Sequence, residues 1–243
     1  LIYGKSTNSM ACNGSAAGAA FRQGARFANG EFIQIHPTAI PGEDKLRLIS
    51  ESVRAEGGRL WVPGNAAKRY RAEDGAEKPC GKTGENWYFC EEWYPKYGNL
   101  MPRDIVSRAI WRVVHELGMG LDGGTEAVHL DIRHVPAARQ HELEGVLEIY
   151  RKFMGEDPRQ VPMKVYPAMH YSMGGLWAGY TRTSEGFVDL NATNNQMSNL
   201  AGLFPVGEAD HQYHGGNRLG ANSLLSCIYA GQIGGPSAVR YAR

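Results

Sequence analysis

The chain has 243 residues, 42% of them hydrophobic, with a formal net charge of +1, which suits a soluble globular protein of one large or two smaller domains. So even a balance removes any broad electrostatic argument for nucleic acid or an anionic membrane surface. No apolar run reaches the length of a membrane span and no charged-then-apolar leader opens the sequence, while Cys12, Cys80, Cys90 and Cys227 lack the spacing of a zinc site or a disulfide framework.

Leu1 to Tyr3 read like the middle of a strand rather than a natural start, so the chain is expected to be a fragment. The small residues Asn13 to Gly18 lead into a helix continued by Ala19, Ala20 and Phe21, and Glu31 to Ile35 then alternate like a strand. His36 follows that strand. From about Pro41 to Met163 the chain is richer in charge and aromatics and reads as a separate α+β module. Within it, Ser50 to Glu56 can be helical, Ala72 to Asn86 is expected to be a loop, and helices are expected from about Arg103 to Leu117 and His141 to Phe153. The string GMGLDG at Gly118 formally matches a dinucleotide fingerprint, but a helical pattern precedes it where a strand is required, so Gly118 is read as a helix stop. Beyond Met163 the sequence returns to glycine-rich loops and short apolar runs such as Gly202 to Val206, and Thr181 to Gln196 reads as an exposed loop or hairpin. The outer regions, 1–40 and 164–243, therefore look like one split domain with 41–163 inserted.

The segment Asp210 to Leu225, DHQYHGGNRLGANSLL, is the richest in chemistry. Asn222 and Ser223 can cap a helix whose apolar positions Leu224, Leu225, Ile228 and Tyr229 recur at helical spacing. The first amides of such a helix form an anion site. Arg218 offers a planar fork for a carboxylate, or else a structural ion pair. Glu51 and Arg54 share a helix face and, taken alone, read as a surface salt bridge. Arg103 begins a helix after Pro102, where a cation opposes the helix dipole; an exposed arginine held by Asp104 or a neighbouring acid is the plainer alternative. His36 and His170 are individually unremarked structural histidines, yet two histidines, two arginines and nearby hydroxyls would suit a dicarboxylate. No spacing of acids and histidines suggests a metal.

The strings HPTAI at His36, SESVRAEGG at Ser50, NLMPRD at Asn99, HYSMGG at His170, GLFPVGEAD at Gly202 and HGGNRLGANSLL at His214 resemble, in order and over nearly the whole chain, the flavoprotein subunit of succinate dehydrogenase and quinol:fumarate reductase. HYSMGGLW and GKSTNSMACNG resemble the bacterial branch anchored by a single diheme cytochrome subunit. L-aspartate oxidase, a soluble relative, shares the histidine and arginine motifs, and a catalytically silent fragment is the remaining alternative.

The resemblance implies an α/β protein: a partial Rossmann-like FAD-binding domain (1–40 and 164–243) interrupted by an α+β capping domain (41–163), lacking the N-terminal part of the FAD domain and the C-terminal helical domain. It implies that succinate and fumarate interconvert by hydride transfer to FAD, and that the fragment alone is inactive. Arg103 matches the arginine that shuttles the substrate proton, with Glu51 and Arg54 as its relay. His36, Ser50, His170 and Arg218 match residues that hold the substrate carboxylates, Ser50 standing where other branches have threonine. Glu208 matches an acid that binds the flavin polyol, Asn222, Ser223 and Leu224 match the helix start facing the isoalloxazine, and Ser15 stands where many relatives place an aspartate beside the flavin. The implied partners are an iron-sulfur subunit and a membrane cytochrome b anchor, which would hold a cytoplasmic subunit against the inner face of the cell membrane without a span of its own.

Overall fold

The computed structural model describes residues 3–42, 46–121 and 126–243. Leu1 and Ile2 of the expected strand, and Asp122 and Gly123 of the rejected glycine motif, lie outside the described residues. Two compact units result: an outer one of 1–4, 8–34 and 170–243, and a middle one of 5–7 and 35–169.

In chain order, α1 (Ser15–Arg22) grows from the small-residue run through Gly14 at φ 73°, followed by β1 (Phe27–Ala28). β2 (Ile33–Ile40) is longer than expected and holds His36, Pro37 and Thr38 inside the strand rather than after it. Proline is tolerated there because β3 (Arg47–Leu48) pairs only with Ala39 and Ile40, so Pro37 meets no β3 acceptor. α2 (Ser52–Ala55) is a single turn, and β4 (Arg59–Pro63) and β5 (Asn65–Arg71) follow it. β6 (Glu77–Cys80) lies within the stretch expected to be a loop: Asp74 and Gly75, with Gly75 at φ 82°, turn β5 back onto β6 as a hairpin. β7 (Asn86–Trp87) and α3 (Phe89–Trp93) lead to α4 (Arg103–Trp111), which runs on through a π-type turn, Arg112–Glu116, before Gly118 at φ 61°. After β8 (Val128–Asp131), the one helix expected near His141 is two, α5 (Ala137–Glu142) and α6 (Glu144–Met154), interrupted at the buried Leu143. β9 (Met163–Ser172), β10 (Gly175–Leu176) and α7 (Asn222–Ala242) complete the order.

The chain passes between the units at 34/35 and 169/170, within β2 and β9, some six residues from each change of composition. Lys5–Thr7 joins the middle unit through main-chain bonds from Thr7 to Met169 at 2.9 Å, Met169 to Lys5 at 3.1 Å and Leu46 to Ser6 at 3.1 Å.

The middle unit is built on a six-stranded sheet in the order β3-β2-β9-β8-β4-β7. Ile49, Val53, Leu60, Ile110, Leu130, Leu147 and Tyr150 belong to its main apolar cluster. Apolar area removed from water stabilises such a cluster at roughly 25 cal/mol per Å². Gly58, between α2 and β4, is a tight point: a Cβ there would stand 2.6 Å from the Val53 carbonyl oxygen and 3.2 Å from Leu130 Cδ1. Gly58→Ala is expected to destabilise the full-length protein by about 1–3 kcal/mol, read as a lowered denaturant midpoint at unchanged slope. An unchanged midpoint would show that α2 can shift without cost.

Both buried apolar clusters lie in the middle unit. The outer unit is polar inside: the Gln196 side-chain amide lies 2.8 Å from Asp210 Oδ2, 2.8 Å from Tyr213 Oη and 3.1 Å from the Pro205 carbonyl. The segment expected to be an exposed loop or hairpin ends in this interior, with Asn195 and Gln196 fully buried, although Arg182 bridges Val188 in hairpin fashion nearer its tip. α7 has the helical period expected, but Leu224, Leu225, Ile228 and Tyr229 are exposed. The inward stripe is Ser226, Ala230, Gly234 and Ser237, whose small side chains allow close backbone approach.

Candidate functional site

In the middle unit, α2 and the start of α4 bring three charged side chains together. Glu51 Oε1 accepts from Arg54 Nη2 at 2.7 Å, and Glu51 Oε2 accepts from Arg103 Nη2 at 3.0 Å and Nε at 3.2 Å. The Arg54 and Arg103 side chains are 1% and 7% exposed, so the surface salt-bridge reading of Glu51 and Arg54 is wrong. Burial lowers the pKa of Arg54; Glu51 opposes that shift and Arg103 adds to it. At the first position of α4 the Arg103 cation opposes the helix dipole, and Glu51 offsets the cost. Asp104 pairs with Arg108 at 2.5 Å.

Arg54 is fixed from its other side as well. Its Nη1 donates to the Asn99 carbonyl at 2.5 Å and the Met101 carbonyl at 3.1 Å. Asn99 is itself pinned, its Oδ1 accepting from the Leu60 amide at 2.9 Å and its Nδ2 donating to Glu91 at 2.9 Å. Glu91 also takes two bonds from Arg59, at 2.6 and 2.7 Å, and the Arg59 hydrogen bond holds the Glu91 carboxyl below its usual pKa, with burial opposing. A depressed carboxylate pKa stabilises the fold above the unfolded value and loses that contribution as pH falls through the folded one. Glu91→Gln is therefore expected to lower the melting temperature at pH 7, with the difference from wild type closing below about pH 4. A difference that persisted undiminished in acid would assign the effect to packing.

His36 is fully buried. The Thr38 hydroxyl donates to the Ile49 carbonyl at 2.7 Å, and the Thr38 amide points at His36 Nδ1 at 3.3 Å. With Nδ1 accepting, the proton of the neutral ring belongs on Nε2, making that nitrogen a donor. Ser50, half-buried, accepts from the Ser52 hydroxyl at 2.9 Å, which leaves its own hydroxyl proton to give.

In the outer unit, Arg218 is 4% exposed and its guanidinium carbon lies 4.4 Å from the centroid of the Tyr171 ring. Gln34 Nε2 holds its loop by donating to the Arg218 carbonyl at 2.6 Å and to Asn217 Oδ1 at 2.9 Å. His214 Nε2 lies 3.3 Å from the Tyr171 hydroxyl, and burial together with Arg218 lowers the His214 pKa. His170 is half-buried near the end of β9. Glu208 Oε1 accepts from the Ser172 amide at 3.0 Å; desolvation nevertheless raises the Glu208 pKa. Ser15 opens α1, exposed, its amide bonded to Asn13 Oδ1 at 3.1 Å.

The expected cap of α7 is not made. Ala221 occupies the N-cap position at φ 64°, no side chain caps the helix, and Asn222 and Ser223 are its first residues. A left-handed turn closes the loop instead, and Leu224 beside it is 72% exposed. An uncapped helix start next to an open apolar side chain and the Glu208 carboxylate offers a flavin a positive edge, an apolar face and an acceptor for polyol hydroxyls, so these residues fit that group. Thr38, Asn99, Tyr171 and His214 sit inside the motif strings but carry no signal of their own role. Adjacency to a marked residue, as for Tyr171 after His170, was the one available hint.

The chain is 52% identical over 242 residues to the succinate dehydrogenase flavoprotein subunit of Bacillus subtilis, covering 99% of this chain and 36% of the relative. It is 34% identical over 235 residues to L-aspartate oxidase of Nostoc, covering 95% of this chain and 34% of the relative. Among solved structures, a mutant of Escherichia coli quinol fumarate reductase FrdA superposes with a TM-score of 0.73 at 33% identity, over 99% of this chain and 37% of that one. The chain thus spans little more than a third of the length of the relatives it matches. The family model described as FAD binding domain matches residues 1–224, so by sequence and by fold the chain belongs to the FAD-binding-domain family.

Proposed function

We propose that this chain is part of the flavoprotein subunit of a succinate:quinone oxidoreductase and carries residues that interconvert succinate and fumarate. The observation that carries the reading is one carboxylate, Glu51, shared by two buried arginines, an arrangement suited to moving a proton along a defined route. When bound, FAD supplies the hydride acceptor. Asn222, Ser223, Leu224 and Glu208 are the residues we assign to holding it, with Ser15 as a further contact. In the oxidation direction the Arg103 guanidinium first gives a proton to Glu51 Oε2, 3.0 Å away, and the neutral guanidine so formed takes the proton from the substrate carbon adjacent to the one that loses hydride, which restores the cation. Glu51 is about one-third exposed and releases the proton to solvent, while Arg54 on Oε1 keeps the carboxylate oriented. We assign His36, Ser50, His170 and Arg218 to donating to the substrate carboxylates. Regions 1–40 and 164–243 are in this reading the FAD-binding domain and 41–163 the capping domain.

Among the described residues no helix is long and apolar enough to cross a membrane. Attachment to the cytoplasmic face of the membrane would come through an iron-sulfur subunit and a diheme cytochrome b anchor. The test is an assay of the full-length flavoprotein with an artificial electron acceptor, supplied in turn with succinate and L-aspartate. Succinate-dependent reduction is expected. Turnover of L-aspartate alone would move the protein to the oxidase branch, and no turnover with bound FAD would mark it as catalytically silent.

A further inference from the structure

We propose that Tyr171 is the positioning residue of Arg218: the phenol ring is the surface on which the guanidinium is set, and the hydroxyl fixes that ring in place. The inference rests on the reading of Arg218 as a carboxylate donor. Tyr171 is 3% exposed and Arg218 4%, with the guanidinium carbon 4.4 Å from the ring centroid. A cation over an aromatic face at such burial gains far more than it would in water. Stacking also limits the guanidinium to directions set by the ring plane, which a flexible side chain would not otherwise keep.

The ring is in turn immobilised. It lies at the penultimate position of β9, edge-on to His214 with centroids 5.5 Å apart and planes at 76°. Burial pushes the Tyr171 pKa up, so the phenol keeps its proton; burial and Arg218 push that of His214 down, so the imidazole is held neutral. The phenol can therefore donate to His214 Nε2 across 3.3 Å. Strand and glycine loop thus meet at one hydroxyl, and the residue that aims Arg218 is itself held by that loop.

The full-length flavoprotein with Tyr171→Phe, Tyr171→Leu, Arg218→Met and the combination of the last two is titrated with malonate, followed by the flavin absorbance, alongside kcat and KM for succinate. Tyr171→Leu is expected to raise the malonate Kd and succinate KM about tenfold at unchanged flavin content, and Tyr171→Phe, which keeps the face, by less than about threefold. Acting through Arg218, the leucine change should add nothing in the Arg218→Met background. Independent losses that multiply in the combined variant, or a wild-type Kd in Tyr171→Leu, would overturn the assignment. Wild-type malonate binding by Arg218→Met would instead remove the carboxylate reading, and the positioning role with it. Should the leucine variants fail to fold, the same cycle is run with Tyr171→Phe, whose smaller loss must vanish in the Arg218→Met background.

Discussion

Arg103→Lys in the full-length enzyme is expected to lower turnover of succinate by about 100- to 10,000-fold, the range for losing a positioned acid or base. Charge is conserved in this change, and geometry is not. Arg103 contacts Glu51 Oε2 through both Nε and Nη2, a planar fork from one buried side chain. A lysine offers a single, strongly hydrated ammonium on a flexible stem and cannot satisfy both directions at once. Loss should fall on kcat, with malonate affinity within a few-fold of wild type, because the interaction is one the transition state needs and the bound inhibitor does not. Near-normal turnover of the lysine variant would take Arg103 out of the proton route. The Glu51–Arg54 pair would then be a structural clamp.

Arg218→Met should act on binding first. The arginine is buried against Tyr171, and methionine fills similar space while keeping a favourable sulfur contact with the ring, so folding and flavin content are expected to survive. Removing a charged donor to a carboxylate costs on the order of 2–5 kcal/mol, so the malonate Kd and succinate KM should rise together by about 30-fold or more. Turnover should fall as well, since a substrate held at one end samples fewer reactive poses. If the variant binds malonate normally but loses its flavin, Arg218 serves the cofactor or the fold.

Two helix starts that carry candidate site residues were legible along the chain. Asn99 to Asp104 announced a helix beginning at Arg103, and that helix begins there. The period of Leu224, Leu225, Ile228 and Tyr229 announced α7, whose first residue is Asn222. What the sequence misjudged were matters of environment. Glu51 and Arg54 looked like a surface pair because the third partner, Arg103, is 52 residues away and no local pattern could connect them. His36 was placed after its strand because the alternation ends at Ile35, whereas β2 runs on to Ile40.

Helical period, turn chemistry and the order of the motif strings are short-range properties, carried by neighbouring residues, and these the sequence by itself determined. The burial of Arg54, the stacking of Arg218 on Tyr171 and the outward face of α7 depend on which distant segments pack together. α7 shows the difference most plainly. Its large apolar residues recur at helical spacing, yet Ser226, Ala230, Gly234 and Ser237 face in, because close approach of backbones there leaves room only for small side chains.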